Sequence, residues 1–241
     1  MPSVAIAAAV SWKPSYDEPV GIFIGGTSGV GAAMAVDFAK LTGGMGHIII
    51  VGRNRKAADR ILSSLSKPSA EYTEFKREFI QSDVSLMKNV KETASMLRER
   101  LPKINFLVLS ASSDAADAAA SLRGRVETEE GIDKQLALRY YQRWKFIYEL
   151  LPLLRMARDR GEDARVMSVL GAKMTYFVNP DDFGMKQSYI GLKAILATTG
   201  YNDYMMEVSC VLETRLFLRF FDRNLLFVNL VSLSRIFILV P

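Results

Sequence analysis

The 241-residue chain has a single cysteine, Cys210, and a single histidine, His47. One thiol cannot build an internal disulfide framework or a cysteine-based zinc site. One imidazole likewise excludes a histidine-built metal centre, so no metal is expected. Charge of one sign is also scarce. The 31 Lys and Arg residues against 26 Asp and Glu leave a net charge of +5, and the basic residues are scattered along the chain. The nearest approach to a basic cluster is Arg53, Arg55 and Lys56. Nucleic acid is therefore not an expected partner, because a backbone footprint needs clustered cations. The apolar stretch Val4–Val10 is short and follows no basic residue, so it does not read as a signal peptide. The cytoplasm is the expected compartment. What the chain has in quantity is apolar surface: 49% of its residues are hydrophobic, ample for one large α/β core at this length.

The run I-G-G-T-S-G-V-G at Ile24–Gly31 carries the most information. It follows an apolar stretch containing Val20, Ile22, Phe23 and Ile24, and leads into an alanine-rich helical pattern, Ala32–Lys40. A strand that turns on glycines into a helix N-terminus makes a phosphate cradle. Glycines permit the tight turn and close backbone approach, and the first-turn N–H groups with the helix dipole favour an anion. A plain surface turn needs the same residues; placement between strand and helix favours the nucleotide reading. Gly25, Thr27, Ser28, Gly29, Val30 and Gly31 are the candidate binding residues.

Strand-like and helix-like segments alternate along the chain. The pattern predicts an α/β fold with a doubly wound parallel sheet of Rossmann type, in a single domain with an atypical C-terminal segment. Strands are expected at Val20–Ile24, His47–Val51, Phe75–Gln81, Ile104–Leu109 and Arg165–Leu170. Helices are expected at Gly29–Leu41 and Arg55–Leu65, from a Ser85 cap through Arg100, over Ile132–Arg158 with a bend near Pro152, and over Tyr189–Glu207. The Ala/Ser-rich piece Ala111–Ser121 reads as a flexible loop.

The second strand ends in V-G-R-N, Val51–Asn54. In a dinucleotide fold this end lies beside the adenosine ribose, where an acid selects the 2′-hydroxyl and an arginine a 2′-phosphate. Arg53 and Arg55 flank that place, with Asn54 between them, which favours NADP over NAD. Asp83, in S-D-V after the third strand, is a candidate for the adenine ring, although an Asp just before a helix is commonly an N-cap.

These residues, with G-G-T-S-G-V-G, L-V-L-S-A and the stretch Thr128–Arg143 (T-E-E-G-I-D-K-Q-L-A-L-R-Y-Y-Q-R), resemble the short-chain dehydrogenase/reductase family. More narrowly they look like reductases of fungal secondary-metabolite pathways, over about Val20 to Glu207. Gly25, Gly29 and Gly31 match the family's glycine pattern, while Ile24 replaces its threonine. The family's Asn-Asn-Ala-Gly after the fourth strand is reduced to Leu109-Ser110-Ala111-Ser112, so the resemblance implies Ser110 as cofactor floor by position. Tyr189 and Lys193 form the Tyr-x-x-x-Lys pair. Set one turn apart on a helix, they would share a face. A lysine ammonium there supports the phenolate of a tyrosine whose ordinary pKa is near ~10. In the family the lysine also holds the nicotinamide ribose.

The rest of the family's catalytic set departs from the pattern. The usual serine position aligns with Gly171, or at best Leu170, and Ser168 falls three residues earlier. Ser168 could polarise a carbonyl only if the register slips. The family's structural asparagine aligns with Arg139. The resemblance ends abruptly at Val208, where composition shifts to Leu, Phe, Val and Arg and no Pro-Gly follows. The tail has three readings: terminal strands that complete the sheet, a membrane-seeking segment, or sequence foreign to the family such as intron read-through or a frameshift. Leu225–Val240 is short for a span of ~20 residues and contains Asn229 and Arg235. The abruptness favours the foreign-sequence reading.

The chain is accordingly divided into an N-terminal extension (1–19), an NADP-binding domain (20–207) and a divergent tail (208–241). The expected activity is NADP(H)-dependent reduction of a carbonyl, on a polyketide- or terpenoid-like small molecule. The alternative is a crippled or non-catalytic dinucleotide-binding protein. A membrane partner is disfavoured, and the sequence is compatible with a homo-oligomer.

Overall fold

A computed structural model of the chain describes residues 18–66, 76–170, 179–187, 189–216, 225–232 and 235–238. The stretch Val4–Val10, Phe75 and Gly171 lie outside the described residues. Strand β1 (Val20–Ile24) is buried at all five positions. A strand with no solvent-facing side belongs at the centre of a parallel sheet covered on both faces, and that is where β1 lies. With β2 (His47–Gly52), β3 (Arg77–Gln81), β4 (Phe106–Leu109), β5 (Ala164–Val169), β6 (Leu225–Ser232) and β7 (Arg235–Ile238) it forms one sheet in the order β3-β2-β1-β4-β5-β6-β7. The pairings from β3 through β6 are parallel; β7 runs antiparallel to β6.

The two-residue side-chain period of the strands builds the two halves of the core. Ile22, Ile24, Ile49, Val51, Leu107, Leu109 and Val166 face α3 (Met87–Arg100) and α5 (Gln142–Asp159), where they meet Val90, Leu97, Phe146 and Leu150. Phe23, Ile48, Ile50 and Val108 face α1 (Gly29–Leu41) and α2 (Arg55–Ser64), against Ala35, Phe38, Ala39 and Ala58. Each fully buried Ile, Leu or Phe contributes about 1.5–3 kcal/mol.

Four expectations are corrected. Ala111–Ser121 is not a loop throughout: α4 spans Ala115–Arg123, as its alanine content favours. Ser85 is not the cap of α3, which starts at Met87 behind Leu86. Its first N–H groups instead donate to the distant Glu130 carboxylate, at 2.6 Å from Met87 and 2.9 Å from Lys88. The long helix after Asp133 is interrupted. A helical turn at Lys134–Leu136 passes into a π-helical turn at Ala137–Tyr141, and α5 follows with Pro152 inside it. Finally, α6 spans Gly191–Leu216, so Tyr189 precedes the helix and the last helical residues run past Val208. In the tail, Leu225–Ser232 pairs with β5 and Arg235–Ile238 pairs back on β6, the arrangement of terminal strands extending the sheet. No helix among the described residues is long and apolar enough to cross a membrane.

One side chain ties three strands together where they begin. Asn105 is fully buried. Its Oδ1 accepts from Val20 N at 2.9 Å, and its Nδ2 donates to Glu162 Oε2 and to Asp163 O, each at 2.9 Å. Its backbone adds bonds to Val20 O and from Arg165 N. Truncation would leave a buried N–H and a buried carbonyl unpaired, at about 1–3 kcal/mol each. Asn105→Ala is therefore expected to lower the unfolding free energy by roughly 2–4 kcal/mol in a urea titration. A loss well below ~1 kcal/mol would show that these bonds are readily replaced.

Candidate functional site

The order of the sheet reverses between β1 and β4, and a cleft of about 730 Å³ opens beyond their carboxyl ends. Open α/β sheets bind ligands at such a switch point, because the chains leaving the two strands depart to opposite faces. The glycine loop forms one wall. Gly25 has φ +87°, and a Cβ there would overlap the backbone of Ala111; a Cβ on Gly31 would meet Ser110 Oγ and Gly25 O. Glycine at both positions lets the loop close directly onto the end of β4. Ser110 completes the seam, its N–H and Oγ both bonding Ile24 O, at 2.8 and 3.0 Å. Ser28 stands at the N-cap of α1 in extended conformation, and its side chain makes no capping bond. The first turn of α1 carries no acid. Its N–H groups lack intrahelical partners, and Val30 and Gly31 line the cleft. Thr27, Ser28 and Gly29 line it as well.

The end of β2 forms the far edge, with Arg53 and Asn54 in the lining. Arg53 Nη2 reaches Asp114 Oδ2 at 3.2 Å across the mouth of the cleft. Asn54 Oδ1 caps α2 by accepting from Ala57 N at 3.0 Å. Arg55 lies outside the lining. Its guanidinium stands 5.0 Å from the Phe79 ring centroid and pairs with Asp59 at 3.8 Å. Asp83 does line the cleft, and its Oδ1 accepts from Ser85 N at 3.0 Å. Arg60 also lines it. Helical spacing along α2 could have revealed that residue, since Arg60 and Ala57 are three apart and share a face.

The opposite end of the cleft is bounded by Leu138, Arg139, Val169 and Leu170. Beneath it lies Arg143, fully buried. Its Nη1 donates to Leu109 O at 3.0 Å, Ser168 Oγ at 2.7 Å and Val169 O at 2.9 Å; Nη2 donates to Ala111 O at 3.0 Å. Burial, with the charge of Arg139, pulls the Arg143 pKa down. The guanidinium thus ties the end of β4 to the end of β5 through their own carbonyls. No sequence pattern announces such a role, since an arginine among aromatics on a helix looks like a surface residue.

The other predicted catalytic groups lie elsewhere. Ser168 is fully buried; its hydroxyl accepts from Arg143 and donates to Asn202 Oδ1 at 2.8 Å. That hydroxyl has no surface for a substrate carbonyl to reach. Tyr189 and Lys193 are not part of the cleft lining. Because α6 starts at Gly191, the two are not one helical turn apart. The Tyr189 hydroxyl donates to Ser121 O at 3.4 Å. Desolvation, then the nearby Asp133 charge, pushes its pKa up to about 12. Asp133 is itself buried; Oδ1 caps Gln135 N and Leu136 N, while Oδ2 has no hydrogen-bond partner. Among the described residues no cluster of three His, Cys, Asp or Glu side chains could hold a metal ion.

Comparison with known proteins places this geometry. A family model described as short chain dehydrogenase matches residues 20–180. An oxidoreductase of Emericella nidulans is 36% identical over 188 residues, covering 77% of this chain and 52% of that protein. Oxidoreductase andH of Emericella variicolor is 37% identical over 160 residues, covering 66% of this chain and 43% of its own length. The chain spans about half the length of the curated relatives it matches. Among solved structures, a metagenomic short-chain oxidoreductase in complex with NADP superposes with a TM-score of 0.60 at 14% identity, over 89% of this chain and 82% of that one. A short-chain dehydrogenase from Streptomyces avermitilis gives 0.59 at 19% identity, over 89% and 65%. At these identities the structures establish the fold.

The environment of Tyr189 makes a measurable prediction. Removing the Asp133 charge stabilises the phenolate relative to the phenol, so Asp133→Asn is expected to lower the Tyr189 pKa from about 12 toward the ordinary tyrosine value. Asparagine still caps the helical turn, which preserves the local fold. An absorbance titration of tyrosinate, with Tyr189→Phe as the reference, should show one tyrosine moving to lower pH. An unchanged titration curve would place Tyr189 outside the influence of Asp133.

Proposed function

The chain belongs to the short-chain dehydrogenase family, and on that premise we propose that it binds NADP(H) in the cleft between β1 and β4 and reduces a carbonyl on a secondary-metabolite-like small molecule. One observation carries this reading: a single cleft runs from the uncapped N-terminus of α1 to Arg53 at the end of β2. The residues present fit a dinucleotide. The N–H groups of the first turn of α1 would hold the pyrophosphate, with the helix dipole behind them. Gly25 and Gly31 leave room for close approach that any side chain would remove. Arg53 would meet a 2′-phosphate, for which its guanidinium is suited, and Arg60 lines the same cleft. Asp83, in the same lining, would face the adenine, with Ser110 and Ala111 beneath the cofactor.

Bound there, the cofactor supplies the hydride. The protein's part is to orient and to handle the proton. We assign the proton to Tyr189, whose phenol carries it at neutral pH as any tyrosine's does, and the supporting cation to Lys193 at the start of α6. Ser168 is not assigned to the reaction, because its hydroxyl is covered and bonded on both sides. The substrate class follows the resemblance of Thr128–Arg143 to fungal reductases. A second reading is favoured by the position of Tyr189, whose hydroxyl bonds Ser121 O instead of lining the cleft: a chain that holds the dinucleotide without turning it over.

One measurement tests the cofactor and a second separates the two readings. Dissociation constants are expected to favour NADPH over NADH by roughly tenfold or more, and Arg53→Asp should reverse or narrow that ratio. Tighter NADH binding by the unmodified chain would overturn the cofactor assignment. Tyr189→Phe should retain NADPH binding while reductase turnover of a model ketone disappears. NADPH binding with no turnover in the unmodified chain would establish the second reading, and turnover that survives Tyr189→Phe would point to another acid.

A further inference from the structure

Arg139 occupies an unusual electrostatic position. It lines the cleft at the end bounded by Val169 and Leu170, away from the α1 N-terminus. Its Nε donates to Thr198 Oγ1 at 3.3 Å, and its backbone carbonyl accepts from Asn202 Nδ2 at 3.3 Å. The Nε bond holds the side chain, and the two Nη groups make no hydrogen bond among the described residues. No carboxylate pairs with it there either. Burial alone lowers its pKa, with no acid acting in the other direction.

Arg143, one helical turn along, has the same character. Its bonds all go to carbonyls and to a hydroxyl, so its charge meets dipoles and not an anion. Two guanidinium groups at this end, Arg139 in the lining and Arg143 fully buried beneath it, neither matched by a carboxylate, create a desolvated positive region. Such a region is costly unless an anion enters it. Within the lining at this end the neighbours of Arg139 are the apolar Leu138, Val169 and Leu170. They would exclude water from an ion pair and strengthen it. An arginine with Nε engaged and both Nη groups available presents two donors to the oxygens of one carboxylate.

We propose that Arg139 is the anion-binding residue of the reacting end of the cleft, and that the substrate is a carbonyl compound carrying a carboxylate. This assignment rests on the reading of the cleft as a dinucleotide site, which gives the phosphates to α1 and Arg53 and leaves Arg139 for the substrate. Arg143 is a positioning residue behind it, tying the strand ends on which the floor is built.

The test is calorimetric binding of phenylglyoxylate and of its methyl ester to the full chain, with and without saturating NADPH. The acid is expected to bind roughly 10- to 100-fold more tightly than the ester, as befits a hydrogen-bonded charge. Arg139→Met should abolish that preference while leaving the weak ester binding in place. Arg139→Lys should keep part of it, because the point charge remains and the fork is lost. Equal binding of acid and ester, or a preference that survives Arg139→Met, would overturn the proposal. So would loss of acid binding on saturation with NADPH, since Arg139 would then be serving the cofactor's own phosphates. If the chain binds no NADPH, the dinucleotide reading fails. The acid–ester comparison in the free chain still decides the role of Arg139.

Discussion

The site depends on how closely the glycine loop approaches the end of β4. Gly25 and Gly31 stand where any Cβ would collide with Ala111 or Ser110, so the loop can lie against the strand and Ser110 can bond Ile24 O. That contact sets the angle at which α1 leaves the sheet and directs its N-terminus into the cleft. It also explains why the first turn of α1 lacks a side-chain cap. A capping hydroxyl would satisfy the same N–H groups that an anion requires.

The other end of the cleft is built on different physics. A fully buried guanidinium is expensive, and without a carboxylate it is retained only where several acceptors replace its water. Arg143 finds four, at the ends of β4 and β5. Parallel strands leave their last carbonyls without ladder partners at the carboxyl edge, so a fork of donors suits that edge. The same arrangement takes up Ser168, whose hydroxyl becomes part of the core. One end of the cleft is thus positive through backbone N–H groups and the other through arginine side chains.

The tyrosine–lysine pair shows how tertiary packing overrides a local pattern. Tyr-x-x-x-Lys spacing implies a shared helical face only if both residues are helical. The start of α6 lies tight against the end of α4, where a Cβ on Gly191 would meet Ser121 O and Leu122. The helix therefore begins after Tyr189, whose ring is left beside Ser121 and Asp133. Desolvation and a carboxylate raise the phenol's pKa there, whereas a neighbouring lysine would lower it.

Much of the fold was legible in the sequence, because its signals are local. Five apolar runs spaced by amphipathic stretches identify the strands β1 to β5, and glycines between strand and helix identify the loop that walls the cleft. Arg53 at the end of β2 was legible for the same reason. Features that arise from residues distant in sequence were not. The Glu130 carboxylate on the N-terminus of α3, the Arg53–Asp114 pair across the cleft and the four acceptors around Arg143 each join segments 25 or more residues apart. The sequence by itself determined the layers, the periodicity of the core and the location of the glycine loop, since propensity and alternation act over a few residues. Only the tertiary structure decided which polar side chains line the cleft and which are enclosed. That choice depends on long-range packing and desolvation, which no spacing rule encodes.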